Sequence, residues 1–583
     1  MSTVDTPKDA ERIADPIAME VFTNRLLAIA DEIASSMIRA SFSSNIKERK
    51  DCSVALFSLD GRLIAQASHI PLHLGSLMGS VRAVLGRYPA GRIRPGDVFL
   101  CNDPYVAGGT HTPDISVITP VFHDGQVIYF MANIGHHSDV GGTVPGSIHG
   151  GATSIFEEGF RLPVMKLYRE GELDEDLLSM ISLNSRSPEE RWLDIKVQAA
   201  ANERGARLML ELTEALGAEQ VARSIEDLFA YTSARLHNRI AEMRDGTASF
   251  TSMIESDGIG DEAVVIQANV SVSGSKLKVS FEGTGPQARG AMNVAESALH
   301  ASVYYVVKTL LDPNLLPNSG MFTNIEITAP EGTLVNPRAP AAVGARSITC
   351  NKVVRALIGA FAQLLPPEKA MAAGQDIVPV MVFAGKRRGR EGGYVYLESI
   401  GGGAGARFDV DGMDGVHVHV TNTSNLPIEP LETEYDLIVN EYALVDGSAG
   451  AGEYRGGMGI SREISAPNGE VVFTARSDGH REGAPGVSGG GTGRPARLVL
   501  KSAAGADREL NPMIANLALK AGDSVRLETP GGGGFGASDK RRIADLARDL
   551  RDGRLTVGES ERQYGAAKTA EALQFRFPDK TLY

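Results

Sequence analysis

The sequence predicts an α+β, multi-domain protein with mixed sheets, several long helices and a glycine-rich, strand-rich C-terminal half. Three observations predict it. At 583 residues the chain is several times the roughly 150 residues of an average domain, so several packed units are expected. Helical and alternating apolar patterns both occur and change over along the chain. The 65 glycines exceed ordinary usage without the period of three that collagen needs.

From Asp15 to about Ala40 the residues Phe22, Leu26, Ile29, Ile33 and Met37 share one helical face, with Asp15 as cap and Pro16 in the first turn. Residues 52–66, CSVALFSLDGRLIAQ, read as a hairpin turning at Asp60-Gly61, and two further strand-like runs follow, one turning at Asp124-Gly125. Helices are expected from Pro188 to about Gly217, capped by Ser187, and from Ala218 to about Asp245. Alternation then takes over in AVVIQANVSVSGSKLKVSFEG. Helical runs at Met292–Leu311 and Asn351–Leu365 bracket the strand-like MFTNIEITAP, and a last amphipathic stretch covers Lys540–Arg551. These changes suggest units at 14–245, 246–370, 371–528 and 529–583.

Composition narrows function. Asp and Glu outnumber Lys and Arg by 72 to 58, a net charge of −14, so no general field draws the chain to nucleic acid or anionic lipid. The first residues lack the basic and apolar regions of a signal peptide, and no apolar run reaches spanning length. A cytoplasmic protein with no membrane contact is expected. Cys52, Cys101 and Cys350 are too few and too scattered for a disulfide framework or a thiolate zinc site.

Two segments concentrate side chains able to hold a metal. Residues 107–114, AGGTHTPD, carry His111 and Asp114, and residues 132–142, ANIGHHSDVGG, carry His136, His137 and Asp139. The intervening hairpin would return the second segment beside the first. Imidazole with carboxylate suits zinc, manganese or iron, and a partly open site of this kind activates water. Asp51 adds a carboxylate. Taken singly, each histidine reads better as a hydrogen-bonded loop or core residue than as a ligand, and it is the two clusters joined by a hairpin that shift the balance. Thr529–Gly536, TPGGGGFG, lacks the Lys-Ser/Thr ending of a phosphate loop and reads as a glycine turn closing a domain. His417 and His419, two apart, would share one face of a strand and suit a pocket or subunit contact.

In combination, DPIAMEVFTNRL, SSNIKERKDCSVALFSLDGRLIAQASHIPLHLGS, NDPYVAGGTHTPDISVITPVF, GHHSDVGGTVPGS, NSRSPEERWLDIKVQAAANERGARL, NTSNLPIEPLE, EYRGGMGISRE and TPGGGGFG resemble the hydantoinase B/oxoprolinase family. The resemblance runs in order from Asp15 to about Gly565. It implies a hydantoinase A-like ATPase partner, which binds ATP and Mg, and hence a hetero-oligomer; this chain itself has no nucleotide motif. It implies ATP-dependent opening of a small cyclic amide or imide, such as a hydantoin, oxoproline or another lactam. The partner would phosphorylate the carbonyl oxygen, and a divalent metal here (Zn, Mn or Fe) would activate the attacking water. Carried across, the metal positions are Asp51, His111, Asp114 and His136, with His137 and Asp139 as catalytic candidates that orient ligands or accept a proton. The choice between His136 and His137 as ligand stays open. The alternatives are the alpha subunit of an ATP-dependent ketone carboxylase and a non-catalytic scaffolding subunit. The chain departs from the family pattern at Ala443–Gly457 and at Cys350-Asn351, which bears on the substrate pocket and not on the fold.

Overall fold

The computed structural model describes residues 15–67, 69–387 and 391–576. The N-terminal segment read for a signal, and the last residues of the fourth expected unit, lie outside them. The arrangement is α+β with four sheets.

Helix α1 (Pro16–Ala40) starts as expected, with the Asp15 carboxylate accepting the amide of Ile17 at 3.1 Å. After the short α2 (Ser44–Lys47) come β1 (Cys52–Ser58), β2 (Leu63–Gln66), α3 (Pro71–Arg87), β3 (Val98–Cys101), β4 (Asp114–His123), β5 (Gln126–His136), β6 (Met165–Arg169) and β7 (Glu172–Leu173). The seven strands form one antiparallel sheet in the order β2-β1-β5-β4-β3-β6-β7. Both faces are covered. Val54, Leu56 and Met131 pack under α1, whereas Ala55, Phe57, Phe130 and Ala132 pack under α3, the two-residue alternation of a strand. Helices α4 (Glu175–Leu183), α5 (Pro188–Leu216) and α6 (Ala218–Ala241) follow. Ser187 precedes α5 but its side chain makes no cap hydrogen bond, and α6 stops four residues before the expected Asp245. Helices α3 and α4 have no counterpart in the sequence reading.

Strands β8 (Gly246–Ile254), β9 (Val264–Ser273), β10 (Lys276–Ser280) and β11 (Ile325–Thr328) make a second sheet, with α7 (Glu296–Leu311) and α8 (Arg346–Phe361) packed over it. Helix α7 begins four residues later than expected and α8 five residues earlier. The first part of MFTNIEITAP belongs to a tight 3-10 turn, Ser319–Asn324, before β11 begins.

The C-terminal half contains β12 (Val380–Lys386), β13 (Gly393–Ser399), α9 (Ile428–Glu434), β14 (Ile438–Leu444), β15 (Ile460–Ser465), β16 (Val471–Arg476), β17 (Arg497–Lys501), β18 (Arg508–Glu509), β19 (Leu517–Leu519) and β20 (Ser524–Glu528). They form the sheets β13-β12-β16-β19 and β14-β15-β20-β17-β18. Met381, Phe383 and Phe473 of one share a core with Ile464, Leu498 and Leu527 of the other, a two-layer packing. Helices α10 (Ile543–Arg551), α11 (Val557–Tyr564) and α12 (Ala566–Gln574) close the chain; α10 starts three residues beyond the expected Lys540.

Glycine segments thread this half at backbone distance. Gly450 donates to Gly532 O, Gly532 to Gly457 O, Gly457 to Ala404 O and Ala406 to Gly533 O, all at 2.8 to 3.0 Å. A Cβ on Gly532 would lie 2.0 Å from Ala404 O, so residues 531–534 are a close-packed interior rib, not a phosphate loop. Gly532→Ala is therefore expected to cost about 2 kcal/mol or more. Gly86→Ala, near the end of α3 with nothing within 4 Å of the new methyl, should be neutral or stabilise by up to about 1 kcal/mol. Thermal melts of the two variants check the contrast.

Candidate metal centre

Strand β4 begins at Asp114 and β5 ends at His136, and their register sets these two residues opposite each other. The hairpin turns on Asp124 and Gly125, at φ 49° and 75°, the two-residue turn whose twist matches the strands. His111 sits three residues before Asp114, in the loop entering β4. Its Nε2 lies 3.0 Å from Asp114 Oδ1, His136 Nδ1 lies 2.9 Å from the same oxygen, and the two nitrogens are 3.1 Å apart. All three side chains are buried. Three donor atoms about 3 Å apart have the spacing of neighbouring ligands held ~2.1 Å from one ion. The cluster could hold a metal ion.

The surroundings favour the ligating forms. Arg346 Nη2, at the first residue of α8, donates to Asp114 Oδ2 at 2.7 Å, and Thr110 Oγ1 donates to the same oxygen at 2.8 Å. That leaves Oδ1 turned to the imidazoles. Burial, reinforced by the Arg346 charge, holds the His111 imidazole well below its ordinary pKa, which favours the neutral ring that a metal ligand requires. Burial alone would raise the Asp114 carboxyl, but His111, Arg346 and His73 around it hold it well below the usual carboxylate range. His111 Nδ1 and His136 Nε2 have no hydrogen-bond partner among the described residues, so the acceptor that commonly orients a ligating imidazole is lacking there. The rings pack on each other instead, their centroids 4.9 Å apart.

Asp51, just before β1, is joined to this group through His73 on α3. His73 Nε2 is 3.7 Å from both Asp51 Oδ1 and Asp114 Oδ1, and His73 Nδ1 is 3.2 Å from Ser53 Oγ. His73 and Arg346 were not among the residues singled out from the sequence. His73 lies in IPLHLGS, where Pro71 followed by spaced leucines signals a helix start; no local signal marks Arg346, which arrives from 232 positions away. Asp51, His73, His111, His136 and Arg346 line one cavity of about 50 Å³, closed by Ser399, Thr421 and Thr423 from the C-terminal half.

His137 and Asp139 are committed to other networks. His137 Nε2 is 3.0 Å from Gln198 Oε1, and its Nδ1 faces the fully buried Arg191 guanidinium. Asp139 accepts from the amides of Gly141, Gly146 and Arg186 and from Arg186 Nη1, all at 2.8 to 3.0 Å, which fixes the loop after β5. The expectation that His417 and His419 share a strand face is corrected. The segment is not a strand, and His419 has φ 61°. His417 meets Thr421 and Thr423 beside the metal cavity, whereas His419 pairs with Asp376 at 2.9 Å. Cys52, Cys101 and Cys350 are free and buried, and burial pushes the Cys101 thiol up to about 12, so none is poised as a nucleophile.

A two-faced antiparallel sheet that carries a His-Asp-His cluster at one hairpin's open end, roofed by a helix terminus and a β-rich half, defines a class of multi-domain α+β proteins with a buried donor cluster on the N-terminal sheet. Residues 15–538 match the model of the Hydantoinase B/oxoprolinase family, and the chain belongs to that family. The B-type component of a putative D-/L-hydantoinase from a Pseudomonas species is 31% identical over 98% of this chain and 97% of its own length. 5-Oxoprolinase 1 of Arabidopsis thaliana is 33% identical over 91% of this chain, which spans only 42% of that protein. Among solved structures, the ATP-dependent caprolactamase from Pseudomonas jessenii superposes with a TM-score of 0.87 at 26% identity, over 96% of this chain and 100% of that one. Acetone carboxylase superposes at 0.85 with 18% identity, over 96% and 82%, a likeness of fold. No described helix is long and apolar enough to cross a membrane.

The two histidine neighbours separate by experiment. His111→Ala and His136→Ala are each expected to weaken metal retention by about 100-fold or more. His137→Ala should leave metal retention unchanged and lose about 2 kcal/mol of stability by leaving the buried Arg191 Nη1 without its partner, Nη2 keeping Ser138 and Glu190. Elemental analysis after gel filtration and thermal melts, run on all three variants, check both halves.

Proposed function

We propose that this chain is the metal-bearing subunit of an ATP-dependent cyclic amide hydrolase, opening a hydantoin, oxoproline or other lactam ring whose carbonyl is activated by phosphorylation in a hydantoinase A-like ATPase partner. The observation that carries this is the buried N, N, O donor set of His111, His136 and Asp114, of which the two imidazoles line a small cavity. A relative whose name makes it one component of a hydantoinase supports a separate partner. So does the plant oxoprolinase, of which this chain covers less than half, leaving length there for a second function in the same polypeptide.

In this reading His111 Nε2, His136 Nδ1 and Asp114 Oδ1 would hold a divalent ion, zinc, manganese or iron, with Asp51, across His73 from the cluster, as the fourth donor. The ion, when bound, supplies Lewis acidity and brings the pKa of a coordinated water towards neutrality. Arg346 holds Asp114 by its far oxygen, so the carboxylate cannot rotate away. His73, between Asp51 and Asp114 and tied at Nδ1 to Ser53, is placed to accept and return a proton at Nε2. Val378, Val380 and Leu397 add apolar surface to the lining of this small cavity, which limits the water beside the donor cluster to a few molecules. His137 and Asp139 then act as positioning residues that hold the strand end carrying His136.

Coexpression with an A-type ATPase partner tests the reading. Hydantoin or a lactam, without bicarbonate, should drive ADP release that needs both proteins and falls by about 100-fold or more in the His111→Ala complex. ADP release that is silent with every ring and appears only with a ketone plus bicarbonate would replace the hydrolase with a carboxylase.

A further inference from the structure

The metal cavity, at about 50 Å³, accommodates an ion and a few waters but not a ring. Immediately beside it is a chamber of about 390 Å³, walled by Leu27, Ile70, Leu74, Leu316 and Met321 with Tyr304 and Tyr305 of α7. That is the size at which pockets take small organic ligands. Ile70 lines both spaces. So does one short stretch of the C-terminal half, with Asn422 facing the chamber and Thr421 and Thr423 facing the metal cavity. The partition is a single thickness of chain, held by Leu72 N donating to Val420 O at 3.2 Å. It is also wired to the cluster, because Ile70 N donates to Ser53 Oγ at 3.2 Å and that oxygen contacts His73 Nδ1.

We propose that this chamber is the binding site for the body of the ring substrate, with the Ile70 side chain as the partition that decides how far the ring reaches towards the metal cavity. The inference rests on the ring-opening reading for the identity of its ligand, though not for its geometry. Its walls choose the class. Carbon surface from α1, α3, α7 and the Leu315-Leu316-Pro317 turn dominates, the described lining contains no carboxylate, and Lys308 on α7, whose ammonium already bonds Pro313 O, supplies a cation. Such a site takes a neutral, apolar-bodied ring, a lactam or a hydantoin carrying a hydrocarbon substituent. It discriminates against cationic substituents, which would lose hydration with no acid to meet them. Ring size and substituent length, read through Ile70, then set specificity.

The test uses the full-length chain and ε-caprolactam as probe, with binding followed by calorimetry and saturation-transfer NMR. Thr309→Trp and Leu316→Trp place an indole in the chamber from half-buried positions. Each should weaken binding by about tenfold or more while metal content by elemental analysis and the melting temperature stay near those of the parent. Ile70→Ala should shift preference towards larger rings, measured as the affinity ratio of ε-caprolactam to 2-pyrrolidone. Parent-like affinity in both folded tryptophan variants, an unchanged ring-size ratio in Ile70→Ala, or no binding of either lactam to the parent chain at millimolar concentration overturns the proposal. The readout is binding, so a complex that binds the lactam in the chamber yet never releases ADP would sink the hydrolase reading and leave the chamber standing.

Discussion

The carboxylate of Asp114 is the point on which the rest of this structure depends. It has no exposed surface, and a bare buried carboxylate is prohibitively costly. Each of its oxygens is therefore spoken for: Oδ2 by Arg346 and Thr110, Oδ1 by two imidazoles. This arrangement couples three parts of the chain. The hairpin register fixes His136 opposite Asp114, the loop of residues 108–113 delivers His111, and α8 must present its first residue to the open end of the central strands β4 and β5. Removing Arg346 would leave the charge uncompensated at a cost of about 3–5 kcal/mol, so the helix terminus serves folding and the site together.

The hairpin half of that arrangement was legible in the sequence because its determinants are local. Asp124-Gly125 specifies the turn, and the pairing it starts at His123 and Gln126 runs on to bring His136 to Asp114. The long helices α1 and α5 were legible for the same reason. Helix α3 was not, and the cause is physical. Gly75, Gly79 and Gly86 depress its intrinsic helicity, yet two of them are packing devices. A Cβ on Gly75 would lie 2.0 Å from Ser297 O, and one on Gly79 would lie 2.6 Å from Gly108 O. The glycines that hide the helix from a propensity argument are those that let it approach α7 and the loop carrying His111. With α3 went His73. Arg346 was illegible for a different reason, since nothing near it in sequence refers to Asp114.

The pair His417 and His419 shows the limit of parity arguments. Two-residue spacing puts side chains on one face only while the backbone stays extended. Here His419 adopts φ 61°, and the turn sends the two rings apart, one to the wall of the metal cavity and one to Asp376. The glycine-rich half, by contrast, owes its order to close approach and not to turns. Segments at 403–406, 450–457 and 531–534 exchange backbone hydrogen bonds directly, with no side chains between them. That stiff interior holds the loops of residues 399–423 against the N-terminal sheet.

Rigidity of that roof has a chemical consequence. In the proposed reaction a phosphorylated carbonyl has to be kept from bulk water, and the space around the donor cluster is small, about 50 Å³. A small reaction space cannot also recognise a ring, and recognition has to be exported to a neighbouring surface. The seam at residues 69–73 and 420–423 does this with little material: one face of the seam carries His73, Thr421 and Thr423 towards the cluster, and the other carries Ile70 and Asn422 towards apolar helix surface. Substitutions on the far face would leave the Asp114 network and its balance of buried charge untouched, so in the proposed arrangement ring recognition can change without disturbing the donor cluster.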